Sequence, residues 1–437
     1  MTNISIDLNE RAQELIPGGT QLLSKSPVLH HPQSWPSYYS KAKGCYVWDV
    51  DGRRYLDMAY MGIGTNLLGY ADDTINKAVE TIVQAGNVST LNAPEEVELA
   101  EVLCDLHPWA DMVRYSKTGG EANAIAIRIA RAYTEKEIVL FCGYHGWHDW
   151  YLAANLNDDE ALEGHLLSGL LSKGVPESLK NTAFPFPYNN KETFAALLKK
   201  HEGKIGAVIM EPMRNYPPEE SFLEFIREET KRAGIVLIFD EISSGFRSTS
   251  GGYHLELGVN PDIAVFGKTL SNGYPMAAVI GNRSVMSIAS QCFISSAYWT
   301  DRIGLVAALA FVKKCREEKV LDHIQKIGKL MIEGWRKVFS KFGFDVEVTG
   351  LPALCSFSIK GEDHALIKTL ITQEMLKHDI LATNAFYASY THDEKMLEVY
   401  FQKLEEILFV IRERINKGTL SEMLEGEMCK PFFKRLN

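Results

Sequence analysis

The chain is poor in cysteine and has no paired cysteine motif. Its seven cysteines are Cys45, Cys104, Cys142, Cys292, Cys315, Cys355 and Cys429, none in a Cys-x-x-Cys spacing. An odd, scattered set argues against a disulfide framework or a zinc site and favours a reducing compartment. No apolar run approaches the length of a membrane span. Positive charge is not in excess: 46 Lys and Arg stand against 56 Asp and Glu, a net charge of −10. Phosphate backbones need a basic face, so nucleic acid is excluded as the main partner. The opening "MTNISIDLNERAQELIPGG" carries acids and no apolar core segment, so it does not read as a signal peptide. These absences lead to an expected cytoplasmic location, with no membrane and no nucleic-acid partner.

What is present is ordinary in bulk. Hydrophobic residues make up 46% and charged residues 23% of 437 positions. That length supports two or three domains, or one large domain with a smaller one attached, and a large core.

Along the chain, the first fifty residues read as an arm. A short helix near "ERAQEL" leads to a turn at Pro17-Gly18-Gly19. The segment "CYVWDVDGRRYLDM" (45–58) reads as a hairpin about Asp51-Gly52. From about 70 to 290, helical stretches alternate with short apolar runs: "EIVLF", "IGAVIMEP", "GIVLIFDE", "DIAVFGK" and "MAAVIGN". Strands apolar on both faces and separated by helices predict a mostly parallel sheet covered on both sides, an α/β architecture. After about 303 the pattern turns to long helices, with short strands at "FDVEVTG" and "CSFSIKG" and a final amphipathic helix over "DEKMLEVYFQKLEEILFVIRERI". The expected organisation is an N-terminal arm and hairpin at 1–60 belonging to the small domain, a large domain at 61–302, and a smaller α+β C-terminal domain at 303–437. The basic, aromatic tail "CKPFFKRLN" is expected to pack on a partner subunit.

Four clusters fall where such folds bind ligands, at the carboxyl ends of strands. In "SKTGGEANAIAIR", Thr118, Gly119 and Gly120 lead into a helix. Free amides and a hydroxyl there form an anion site, or an ordinary N-cap with turn glycines. In "CGYHGWHDWYL", flat rings including Tyr144 suit a heterocycle. An aromatic interface loop and a metal site at His145, His148 and Asp149 are the other readings, and the spacing matches no zinc signature. In "LIFDEISSGFR", Asp240 ends a buried strand. Its charge needs a cation, either a protonated ring nitrogen or an arginine such as Arg247. In "FGKTLSNGYPMAAVIG", Lys268 follows an apolar strand. Desolvation there favours a free amine for Schiff-base chemistry; a solvated loop lysine is the plain alternative. A phosphate cradle, a ring shelf, an acid and a nucleophilic lysine, in this order, are the components of a pyridoxal 5′-phosphate site.

The wording of these motifs resembles the class III pyridoxal-phosphate aminotransferases of fold type I, and within them glutamate-1-semialdehyde aminomutase and its relatives. "SKTGGEAN" is similar to the family's SGTEA-type turn, "YHG" to its ring-stacking motif, "IFDEISSGFR" to its DEVxTGFR, and "FGKTLSNGYP" to its lysine segment. The resemblance runs from about residue 10 to 410. It implies that Lys268 forms a Schiff base with the cofactor and moves the proton, and that Asp240 pairs with the ring nitrogen. It further implies that Thr118, Gly119 and Gly120 hold the phosphate. Tyr144, with His145 of the same motif, and Ile242 would flank the ring, and Glu211 would support the site. Ser295 and Ser296 would donate hydroxyls across the interface of a homodimer with shared active sites.

The segment "GGTQLLSK" puts Leu22 and Lys25 where the aminomutase has a substrate-binding Ser and Arg, and "YHGWHD" places Trp147 within the family's YHGHAD pattern. "SSAYWTDR" replaces its Gly-Thr…Gly-Asn-Pro segment. The cofactor motifs are intact and the substrate mouth is altered, which favours a two-substrate aminotransferase. Its expected donor is L-glutamate. Its expected acceptor is a carbonyl on a sugar or sugar acid in polysaccharide or lipopolysaccharide precursor synthesis, with an oxidised octulosonate as one candidate. An aminomutase and a pyridoxal-phosphate racemase or epimerase are the alternatives.

Overall fold

A computed structural model of the chain describes residues 3–157, 162, 172–213, 215–361 and 363–430. Of the tail, only Cys429 and Lys430 fall within them. Their amides donate to Thr369 Oγ1 at 3.1 Å and Val28 O at 2.9 Å. The expected packing of residues 431–437 on a partner lies outside the described residues.

The chain forms two compact units. One joins the residues up to Asp72 with those from Asp322 onward; the other runs from Asp73 to Leu321. These divisions differ from the breaks expected near 60 and 302. The helix Arg302–Glu317 packs on Asp73–Ala85 and Pro94–Leu106, so it belongs to the larger unit although its sequence resembles the helical C-terminal region.

The larger unit is built on seven strands. Their spatial order is Met112–Ser116, Ala277–Gly281, Ile263–Phe266, Val236–Asp240, Ile205–Met210, Ile138–Cys142 and Ala183–Pro185. The last five are parallel; Ala277–Gly281 runs antiparallel to both its neighbours. Val236, Ile238, Ala207 and Ile209 enter one core with the helix Gly119–Thr134. Leu237, Phe239, Val208 and Met210 enter a second core on the opposite face with Phe222 and Ile226. Both faces are buried, so the strands carry continuous apolar runs instead of alternation. The period of two also fixes a direction: Asp240 shares its face with Ile238 and Val236, the face covered by Gly119–Thr134.

The smaller unit contains the expected hairpin. Tyr46–Asp49 pairs antiparallel with Arg54–Met58, and the Asp49 carboxylate accepts from the amides of Asp51 (3.0 Å) and Arg53 (2.8 Å) to close the turn. Tyr39–Lys43 and Ile380–Ala382 complete a four-stranded sheet. Val346–Thr349, Leu354–Ile359 and Ala385–Tyr387 form a second sheet, and the helices His364–Lys377 and Glu394–Lys417 belong to the same unit.

Candidate active site

The parallel strands all finish at one edge, so the residues after Cys142, Met210, Asp240 and Phe266 gather there. Asp240 is buried. Its Oδ2 accepts from His145 Nδ1 at 2.8 Å and from Asn123 Nδ2 at 2.8 Å, and its Oδ1 accepts from the Ile242 amide at 3.1 Å. These donors answer the cost of burying a carboxylate. Arg247, the arginine weighed from sequence as its partner, instead donates from Nε to Ser243 O at 2.6 Å. His145 is held at both ring nitrogens, the second facing Cys142 O at 3.2 Å. It therefore serves the acid, and among the described residues no cluster of His, Cys, Asp and Glu is arranged to hold a metal ion.

Lys268 follows Gly267 out of the Ile263–Phe266 strand with φ of 44°, a left-handed conformation that costs a non-glycine residue energy and is tolerated mainly at functional sites. Its Nζ donates to Ser243 Oγ at 2.7 Å. One turn, residues 241–247, therefore serves both clusters: Ile242 through its amide to Asp240, and Ser243 through its hydroxyl to Lys268. That turn is anchored from behind. Glu241 accepts from the His254 amide and faces His254 Nδ1, both at 2.9 Å, while Trp109 Nε1 donates to His254 Nε2 at 2.9 Å. Burial would raise the Glu241 carboxyl, but the hydrogen bonds from His254 and Ser244 outweigh it and hold it below the usual range.

Thr118 is the N-cap of Gly119–Thr134. Its Oγ1 accepts from the Glu121 amide at 3.4 Å, and Glu121 answers with a carboxylate on the Lys117 and Thr118 amides. The N-cap reading of this turn therefore holds for the threonine hydroxyl. The Gly119 and Gly120 amides have no acceptor among the described residues, which leaves them for an anion at a helix N-terminus. A Cβ at Gly119 would stand 2.5 Å from Ile242 Cδ1, so this turn and the Asp240 turn are in close packing.

Glu211 is buried, and its Oε2 accepts from the Tyr144 amide at 3.3 Å. The same oxygen would meet a Cβ at Gly143 at 2.6 Å; with φ of 121° there, only glycine serves. Glu211 thus holds the loop that presents Tyr144, a residue 37% exposed whose ring meets Tyr151 edge-to-face at 6.3 Å. Tyr151 is fully buried and donates to Gly143 O at 2.8 Å. Ser295 and Ser296 are exposed, and neither hydroxyl is hydrogen-bonded to this cluster. Asn123 and Ser243 are the two members that sequence reasoning missed. The available signals were a lone amide on an apolar helix face and a hydroxyl three residues after a strand-ending acid.

Comparison with known proteins then decides the family. The family described as aminotransferase class-III matches residues 29–407. The chain belongs to it. This aminotransferase is accordingly a pyridoxal 5′-phosphate enzyme with the fold of the fold type I transferases. It is 30% identical to a 3-aminobutyryl-CoA aminotransferase of Cloacimonas acidaminovorans, over 94% of this chain and 98% of that one. It is 34% identical to a glutamate-1-semialdehyde 2,1-aminomutase of Akkermansia muciniphila, over 78% and 80%. It is 27% identical to a 2′-deamino-2′-hydroxyneamine transaminase of Streptomyces kanamyceticus, over 85% and 92%. Among solved structures, an omega-transaminase from Sphaerobacter thermophilus superposes with a TM-score of 0.81 at 26% identity, covering 93% of this chain and 97% of that one. The residues of the aminotransferase fit the cofactor. Gly119 and Gly120 offer unfilled amides for its phosphate, and Asp240 offers a fixed carboxylate for its ring nitrogen. Lys268 offers a held amine for its aldehyde.

Proposed function

We propose that the enzyme moves an amino group from L-glutamate to the carbonyl of a sugar or sugar acid, in polysaccharide or lipopolysaccharide precursor synthesis. We place it in the cytoplasm as a homodimer with shared active sites, in which Ser295 and Ser296 serve the partner's site. The observation that carries the amino-transfer chemistry is the pair of clusters joined by one turn, Asp240 with His145 and Asn123, and Lys268 with Ser243.

When bound, pyridoxal 5′-phosphate supplies an aldehyde carbon that exchanges amines and a ring that withdraws electrons. Asp240 would pair with the ring nitrogen, and the donors from His145, Asn123 and the Ile242 amide hold its carboxylate in place for that contact. Lys268 Nζ would take the proton from Cα of the amino donor as general base and, as general acid, return it to the carbon on the other side of the transferred nitrogen. Ser243 Oγ holds Nζ in place for that transfer. Tyr144 and Ile242 would flank the ring, and Gly119 and Gly120 would hold the phosphate.

The sugar acceptor is supported by the Tyr, Asn and Ser content of "YMGIGTN" and "NAFYASY". In their own unit these two segments adjoin, Tyr60 edge-to-face on Tyr387 at 5.5 Å. It is supported too by the likeness to a neamine transaminase, whose name indicates an aminated carbohydrate-like product. A second reading, an aminomutase that needs no external donor, draws on the likeness to glutamate-1-semialdehyde aminomutases.

The test is the visible spectrum of the purified holoprotein before and after adding L-glutamate without an acceptor. Loss of the aldehyde-form band with release of 2-oxoglutarate is the expected result, and a panel of oxidised sugars then ranks acceptors. A spectrum that glutamate leaves unchanged removes glutamate as donor and favours the mutase or a racemase.

A further inference from the structure

The loop "YHGWHD" turns back onto the start of the Gly119–Thr134 helix at a contact that only small residues permit. A Cβ on Gly146 would stand 2.8 Å from Gly120 Cα, and Gly146 has φ of 101°. A Cβ on Gly120 would stand 3.0 Å from His148 Nδ1 and 3.1 Å from His148 Cε1. The imidazole of His148 therefore occupies the space into which a side chain at position 120 would project. In the SGTEA-type wording a hydroxyl residue precedes Glu-Ala; here Gly120 precedes Glu121-Ala122.

His148 Nδ1 is buried and has no hydrogen-bond partner. A buried polar nitrogen left unpaired is costly, and such an atom in a native site calls for a missing ligand. Trp147 stacks on the ring at 4.6 Å with 27° between the planes. Beside it, the Gly119 and Gly120 amides also lack acceptors. Desolvation lowers the His148 pKa, so the ring is neutral and offers one N–H. Among the described residues, nothing else competes for Nδ1.

We propose that His148 is a phosphate ligand of the cofactor: its Nδ1–H donates to a phosphate oxygen alongside the Gly119 and Gly120 amides, in the place a side-chain hydroxyl at position 120 would otherwise fill. This rests on the reading of residues 118–120 as the phosphate turn. It assigns His148 a binding role separate from the ring-stacking loop that carries it.

The experiment compares the affinity of the apoprotein for pyridoxal 5′-phosphate and for pyridoxal, which lacks the phosphate, by equilibrium dialysis read by absorbance. His148→Phe, which keeps the stacked ring and removes the donor, is expected to weaken pyridoxal 5′-phosphate on the order of 10-fold, the worth of a hydrogen bond to a charged group, and to leave pyridoxal unchanged. His148→Asn, whose side-chain amide nitrogen replaces Nδ1, is expected to restore most of the loss. Equal weakening of both ligands in His148→Phe, or unchanged affinity for both, overturns the proposal. A Gly119→Pro control, which removes one of the two amide donors at the first helical position, separates the two readings. If it leaves the phosphate ligand's affinity intact, the phosphate turn itself is misassigned, and the proposal falls with it.

Discussion

His145 Nδ1 lies 2.8 Å from Asp240 Oδ2, with side chains 0% and 3% exposed. The acid comes from the end of a central strand and the imidazole from the loop after its neighbour but one, so the bond spans the Ile205–Met210 strand at the sheet's carboxyl edge. Removing a donor from a buried carboxylate loses a hydrogen bond to a charged group, at a cost of about 1.5–3 kcal/mol. His145→Leu should therefore lower unfolding stability by about that amount, and Asn123→Ala by about 1–2 kcal/mol. Urea unfolding of the apoproteins measures both. Equal, negligible losses would show that Asp240 is satisfied without them.

The hydroxyl of Ser243 accepts from Lys268 Nζ at 2.7 Å. A hydrogen bond to a charged group is worth about 1.5–3 kcal/mol, or roughly 10- to 100-fold in rate if it acts in the transition state. Ser243→Ala should reduce kcat by that range while cofactor loading, read by absorbance, stays complete. Lys268→Ala should abolish turnover and still bind the cofactor. Retained turnover in Lys268→Ala would refute its role as the amine.

A methyl group at Gly119 would stand 2.5 Å from Ile242 Cδ1, so the Ile242 side chain must shift to admit it. Gly119→Ala should weaken cofactor binding by roughly 10-fold, measured by dialysis, because it displaces the Ile242 side chain that would flank the ring. A double variant with Ile242→Val, which trims one methyl, should recover part of the loss.

Acid should destabilise the protein through its buried histidines. Burial depresses His107 and His392 to about 4 from the usual 6.5. In each, one nitrogen accepts from a backbone amide: His107 Nε2 from Gly252 at 2.9 Å, His392 Nδ1 from Ser389 at 3.0 Å. Protonation would destroy that bond. The folded values are depressed, so the unfolded chain binds more protons between pH 6.5 and 4. Their stability contribution is complete above about pH 6.5 and is lost as pH falls toward 4, at most about 3 kcal/mol per histidine. Urea midpoints recorded from pH 7 to pH 4 should fall across that window, and His392→Gln should flatten the slope.

Much of the large unit was legible from its runs. "GIVLIFDE", "IGAVIMEP" and "DIAVFGK" are apolar on both faces, a pattern that suits a covered parallel sheet, and the observed strands Val236–Asp240, Ile205–Met210 and Ile263–Phe266 lie inside them. Ala183–Pro185 was not legible, because three residues ending in proline carry no periodic signal. The strand Met112–Ser116 was hidden because its half-buried "MVRYS" shows neither clean alternation nor an apolar run. The lysine, the acid and the glycine turn could be named from local chemistry, since each breaks the pattern of the strand or helix it adjoins.

Chain chemistry by itself determined that Asp240 and Lys268 must emerge from buried strands, because a charged residue closing an apolar run has nowhere else to go than the strand end. It determined the hairpin at Asp51-Gly52 and the N-cap at Thr118 as well, since both depend on neighbours within a few residues. Tertiary structure alone decided that Asn123 and His145 share Asp240, that Ser243 holds Lys268, and that His148 fills the space beside Gly120. These partners lie from 25 to 117 residues apart along the chain. Strand order and helix placement bring them together, and no local preference encodes a distance between residues so far apart.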